Sequence, residues 1–202
     1  VYIATDSIEI KEVCETFTNH VIITKSTHQS GTDRIGEAVS AIACDIVINV
    51  QGDEPLIEPS LIEALVNSFS NSEISMSSAM SKINTVKDLH NPNVVKVVTD
   101  LHNNALFFSR SLIPFPRDVK EISIAKEVLE KYQFFRHIGI YGYRKDFLLK
   151  FVNMEQSYLE KIEKLEQLRA LENGFKIKMI EANSSLLGID TQEDYEEALK
   201  KY

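Results

Sequence analysis

The stretch DIVINVQGDEPLI (residues 45–57) decides how the chain is read. Its first half, DIVINV at 45–50, is short, apolar and β-branched, which marks a buried strand. The strand runs into QGDEP, where Asp53 and Glu54 stand side by side between Gly52 and Pro55. In an open α/β sheet ligands bind at the carboxyl ends of strands, so polar residues placed there are candidates for chemistry. The two acids either hold a cation that relieves their repulsion or form a solvated turn.

Working outward, the same kind of apolar run recurs at 1–5, 20–24, 74–80, 94–99, 104–110, 136–144 and 175–182. Segments of helical period lie at 7–17, 33–43, 59–70, 145–152, 156–173 and 191–201. This alternation predicts one α/β domain over 1–202, an open, mostly parallel sheet with flanking helices. The stretch 113–132, with Pro114 and Pro116 and mixed charge, is the most irregular and reads as a mobile loop or the root of a subdomain.

Composition narrows the function classes. A formal net charge of −8 argues against sequence-independent binding to nucleic acid or anionic membranes. No apolar run approaches the ~20 residues of a membrane span, and no signal sequence opens the chain. Cys14 and Cys44 lack metal-ligand spacing and read as free thiols in a reducing compartment, so a soluble cytoplasmic protein is expected. The chain opens directly on a strand-like run, VYIATDS, from which a preceding segment is expected.

Asp6, Asp53 and Asp190 each follow a short apolar run. Carboxylates gathered at one sheet edge suit Mg2+, an oxygen-seeking ion, whereas each taken alone also reads as a cap or turn residue. HQSGTDR (28–34) feeds a helix start, with Ser30 and Thr32 as cap candidates and Asp33 favoured by the helix dipole. It reads either as a binder of an anion or base edge or as a capped turn. In RHIGIYGYR (136–144), His137, Gly139, Tyr141 and Tyr143 alternate onto one strand face, suiting a polar pocket or an aromatic dimer contact. In EKIEKLEQLRALENG (160–174), Ile162, Leu165, Leu168 and Leu171 form one helical stripe, which leaves Glu166 and Gln167 on a solvated face.

In order along the chain, ATDS, HQSGTDRIGE, NVQGDEPLI, NPNVVKVV, ALFFSRSLIP, RHIGIYGYR, LEQLRALENG and GIDTQEDYEEA resemble the 3-deoxy-manno-octulosonate cytidylyltransferase family. The resemblance implies a Rossmann-like nucleotidyltransferase fold, with residues 104–165 forming a sugar-binding and dimerisation lobe, and a homodimer. It implies transfer of CMP from CTP to the acid sugar Kdo for lipopolysaccharide assembly, with Mg2+ held by Asp53 and Asp190 as the catalytic pair. Ser30, Gly31, Arg34 and Gln51 would bind the nucleotide; Arg110, His137, Tyr141, Glu166 and Gln167 would bind the sugar. The family begins with a strand and an Arg- and Lys-bearing triphosphate loop that would precede residue 1, so low activity is expected of these 202 residues alone. The rival readings are another acid-sugar cytidylyltransferase, of the CMP-sialate synthetase type, and an inactive binding or dimerisation module.

Overall fold

The computed structural model describes residues 1–52, 54, 57–117, 126–182, 196 and 199. Strand β1 (Ile3–Thr5) and strand β2 (Val21–Ile23) pair in parallel across helix α1 (Ile8–Cys14). Ser7 starts that helix by accepting the Ile10 N–H on its hydroxyl at 3.2 Å. Helix α2 (Gly31–Ser40) then leads to strand β3 (Ile46–Asn49), helix α3 (Pro59–Ser68) and strand β4 (Met76–Lys82). After the short helix α4 (Val86–His90) come strands β5 (Lys96–Thr99) and β6 (Ala105–Ser109), helix α5 (Lys126–Lys131) and strand β7 (Phe135–Arg144). Helices α6 (Lys145–Phe151), α7 (Tyr158–Glu163) and α8 (Gln167–Glu172) precede strand β8 (Ile177–Glu181).

The six-stranded sheet runs β6-β5-β7-β4-β8, with β3 also paired to β7. All eight expected strands are present, and the α/β class holds. Strand direction is more mixed than the alternation suggested. Only β1–β2 and β4–β8 are parallel among the described pairings, while β7 runs antiparallel to β3, β4 and β5. An apolar strand pattern carries burial but not direction, which is set by how the chain returns.

Two layers flank this sheet. Val39 of α2, Phe147, Leu148 and Phe151 of α6, and Leu168 and Ala170 of α8 pack with Val47 and Tyr143 on one face. Leu61 and Leu65 of α3 meet Ala79, Ile138 and Ile140 on the other. Beside it, Leu89 of α4 and Val128 of α5 cover Ile83, Val94 and Phe134. Tyr143 is therefore a core residue, 1% exposed, and does not line a polar pocket. Among the described residues no helix is long and apolar enough to cross a membrane.

The single helix expected over 156–173 is two helices. Lys164 adopts a left-handed conformation (φ 54°) and turns the chain between α7 and α8. The reason lies in Arg169, whose guanidinium grips the Glu160 carboxylate at 2.6 and 2.9 Å. In a straight helix these residues would be ~13.5 Å apart along the axis. The break also undoes the expected stripe, since Leu165 and Leu168 are buried while Ile162 is 59% exposed. The expected helix over 191–201 lies almost wholly outside the described residues.

Candidate active site

At the head of α2, Ser30 has extended backbone and its hydroxyl accepts the Asp33 N–H at 3.1 Å. The same hydroxyl donates to Glu166 Oε1 at 2.9 Å, and Thr32 donates to Glu166 Oε2 at 2.5 Å. Glu166 is thus not on a solvated face; it is an acceptor at the joint between α7 and α8, clasped by the loop before α2. Burial pushes its carboxyl pKa above the usual value, and the two hydroxyls and Arg169, 3.6 Å away, oppose that shift. The resulting carboxylate is partly desolvated and already aimed by two donors.

Gln167, 3% exposed, follows directly. Its Oε1 accepts from the Tyr141 hydroxyl at 3.3 Å, while its Nε2 is buried with no hydrogen-bond partner. Burial raises the Tyr141 hydroxyl pKa, so it stays protonated and donates. Tyr141 lies beside His137, ring centroids 5.4 Å apart, on the face that also carries Phe108. The four-residue step from His137 to Tyr141 lies against a step of only two on β4, from Met80 to Ser78, because the β4–β7 register shifts between Ser78 and Ala79, from Tyr141 to Ile138.

Ser78 manages this irregularity. Its hydroxyl donates to the Ile140 carbonyl at 2.8 Å, with the Ile138 carbonyl at 3.3 Å, and meets His137 Nε2 at 2.8 Å. A hydroxyl has one proton, so His137 Nε2–H donates to Ser78 and Nδ1 keeps the lone pair. Burial, with a smaller push from the Arg136 charge, holds the His137 pKa down at about 3, so the ring is neutral.

The residues expected at the nucleotide also converge. A Cβ added to Gly31 would sit 2.9 Å from Gln51 Oε1, so the end of β3 and the start of α2 touch through this pair. Arg34 is engaged by the first two strand ends: its Nη1 donates to Thr24 Oγ1 at 2.6 Å and its Nη2 pairs with Asp6 at 3.2 Å. Glu54 folds back over β7, where a Cβ on Gly139 would lie 3.9 Å from its Oε1. Asp53 and Asp190 lie outside the described residues. Among the described residues no group of three or more His, Cys, Asp or Glu is placed to hold a metal ion.

Arg110 reaches the group from the sheet edge. Its Nε donates to the Glu163 carbonyl at 2.8 Å and its Nη1 to the Pro92 carbonyl at 3.0 Å. Among the described residues no carboxylate lies within ion-pair distance of this guanidinium. Several of the groups that hold the site were not legible in sequence: Thr32 as a partner of Glu166, Ser78 under His137, and Glu160 with Arg169. Each acts on a residue brought close only by folding, as the 134 positions between Thr32 and Glu166 show. The capping pattern around Ser157 and Glu160 was the one local signal; there the Ser157 N–H donates to Glu160 at 3.0 Å.

Known proteins are similar to this chain in sequence and in fold. A family model described as cytidylyltransferase matches residues 1–179. A 3-deoxy-manno-octulosonate cytidylyltransferase of Geobacter sulfurreducens is 46% identical over 206 residues, covering 100% of this chain and 81% of the relative. One from Francisella tularensis subsp. holarctica is 47% identical, with 100% and 81% covered. Among solved structures, a CMP:2-keto-3-deoxy-manno-octonic acid synthetase complexed with CTP superimposes with a TM-score of 0.89 at 34% identity, covering 100% of this chain and 80% of that one. The chain belongs to the cytidylyltransferases, and among them to the 3-deoxy-manno-octulosonate cytidylyltransferase family.

Proposed function

We propose that this chain transfers CMP from CTP to 3-deoxy-manno-octulosonate, releasing pyrophosphate. The observation that carries the reading is Glu166, a half-buried carboxylate joined by hydrogen bonds to Ser30 and Thr32 at the head of α2 and adjacent to Gln167. It links the group assigned to the nucleotide (Ser30, Gly31, Arg34, Gln51) with the group assigned to the sugar (His137, Tyr141, Gln167). Gln167 Nε2 supports the sugar assignment, because a buried donor without a partner calls for a ligand oxygen. Arg110, whose guanidinium is held among the described residues by the Glu163 and Pro92 carbonyls, offers the rest of that group to the sugar carboxylate.

In the reaction the anomeric hydroxyl oxygen forms a bond to the α-phosphorus, the bond from that phosphorus to the β-bridging oxygen breaks, and pyrophosphate leaves with the electron pair. The hydroxyl proton passes to water. The residues act by position and charge: Glu166 and neutral His137 accept from sugar hydroxyls, while Gln167 and Arg110 donate. Asp53 and Asp190 supply the hard oxygen donors that suit Mg2+, and Asp53 follows closely on Gln51, whose amide lies against Gly31. Bound there, the ion would offset the charge of two anionic substrates. The homodimer and the lobe at 104–165 belong to the same reading, supported by the exposed Leu106, Tyr158 and Ile162 in that span.

The test is pyrophosphate release by the full-length enzyme with CTP and a panel of acid sugars. Turnover of Kdo is expected; turnover of another acid sugar in its place overturns the reading. Asp53→Asn and Asp190→Asn are expected to abolish Mg2+-dependent release without unfolding the protein. Near wild-type release in either variant removes that residue from the metal site.

A further inference from the structure

Lys96 opens β5 and is fully buried, 0% exposed, yet among the described residues no carboxylate pairs with it. Its ammonium instead donates to three main-chain carbonyls: Asn91 at 3.0 Å, Val94 at 2.7 Å and Arg110 at 2.6 Å. All three of its protons are therefore used, and the turn 91–94 is tied to the end of β6. That same turn supplies the Pro92 carbonyl that anchors Arg110 Nη1. From the other side, Glu163 receives the Ser109 hydroxyl at 2.7 Å and the Arg110 N–H at 3.0 Å, while its carbonyl takes Arg110 Nε.

Arg110 is thus held at its carbonyl by Lys96, at its N–H by Glu163, and at its guanidinium by two carbonyls that those groups keep in place. An apolar residue at position 96 would fill the space but fix none of these carbonyls. Burial draws the Lys96 pKa below the usual lysine value and the Glu163 charge draws it back, so the cation depends on this cage.

We infer that Lys96 is a positioning residue for acid-sugar recognition, fixing through three carbonyls the direction in which Arg110 presents its guanidinium to the sugar carboxylate. The inference rests on the assignment of Arg110 under the proposed function. A displacement of about 1 Å in such a clamp costs up to about a hundredfold in the step it serves.

The experiment is steady-state kinetics of the full-length enzyme with Kdo and CTP varied in turn, on Lys96→Met, Glu163→Gln and Arg110→Ala. Folding is checked by thermal melting. Lys96→Met is expected to raise KM for Kdo by about tenfold or more, with KM for CTP and kcat within about threefold of wild type. A folded Lys96→Met variant with unchanged KM for Kdo, or with kcat and both KM values shifted together, overturns the inference. If Lys96→Met does not fold, Glu163→Gln decides: a selective rise in KM for Kdo supports the clamp and an unchanged value overturns it. Arg110→Ala separates the two levels. Unchanged KM for Kdo in that variant overturns the Arg110 assignment and the clamp with it; a raised value there beside an unchanged one in folded Lys96→Met overturns the clamp alone.

Discussion

Glu166 carries a conflict that a substitution can expose. Burial disfavours its charge, and the hydroxyls of Ser30 and Thr32 favour it. Glu166→Gln removes the desolvated charge while keeping one carbonyl acceptor, so it is expected to leave stability within about 1 kcal/mol of wild type or raise it. The same change is expected to lower kcat/KM by about a hundredfold, since the ligand loses its charged acceptor. Thermal melting beside steady-state kinetics checks both halves. Gly31→Ala makes the complementary point, because its new methyl would press on the flexible end of Gln51. Stability should fall by less than about 0.5 kcal/mol while KM for CTP rises. At this scale the sequence motifs singled out Ser30, Gln51, His137 and Gln167, which the fold brings into one neighbourhood. They pointed to the wrong surroundings for Glu166 and Gln167, because helical periodicity places a residue on one helix and is silent on partners such as Thr32 and Ser30, 134 and 136 positions earlier.

At the scale of elements, the joint between α7 and α8 depends on the buried pair Glu160–Arg169, whose side chains are 6% and 5% exposed. Arg169 also donates to the Phe151 carbonyl at 3.3 Å, tying α8 to α6, and its guanidinium lies over the Phe151 ring. Arg169→Met strands the Glu160 charge and is expected to cost about 3–5 kcal/mol in urea unfolding. The double variant Glu160→Leu with Arg169→Met is expected to recover much of that loss, because no charge is left buried alone. Gly36 marks another close approach, where a Cβ would lie 2.9 Å from Val152 Cγ1, so Gly36→Ala must shift α2 against α6. Strands were legible because each is a compact apolar run between polar breaks. Two short helices were not. α4 spans five residues, too few for a periodic stripe, although Thr85 accepting the Asp88 N–H at 3.0 Å is a cap that the spacing of those residues could have revealed. α5 falls inside the irregular stretch with two prolines.

The whole molecule answers to pH through His137. Its folded pKa is about 3 against a usual value near 6.5, so between these limits the unfolded chain binds the extra proton. Stability is therefore lost as pH falls from about 6.5 towards about 3, and the contribution is complete above that window. His137→Gln should flatten this part of the stability curve, measured by urea unfolding at a series of pH values. It should also leave no histidine limb at neutral pH to remove from the rate profile, since the native ring is already neutral. The overall class, its longer helices and its strand positions were legible because burial imprints a period on the chain. The mixed strand directions and the three-sided role of β7 were not, because pairing partners are chosen by topology.

That role of β7 has a consequence in time. Over Tyr141, Gly142 and Tyr143 it is paired on both edges, to β3 and to β4, and over Phe135 and Arg136 to β4 and β5. Where it is paired on both edges its amides have no free edge from which to fray, so they should exchange with deuterium only when the sheet opens, whereas those of the two-stranded β1–β2 ribbon should exchange through local opening. His137 and Tyr141 ride on that strand, while Ser30 and Gly31 sit where the loop enters α2. Substrate entry is then expected to be timed by the loop side, with the sugar side already in place before either ligand arrives.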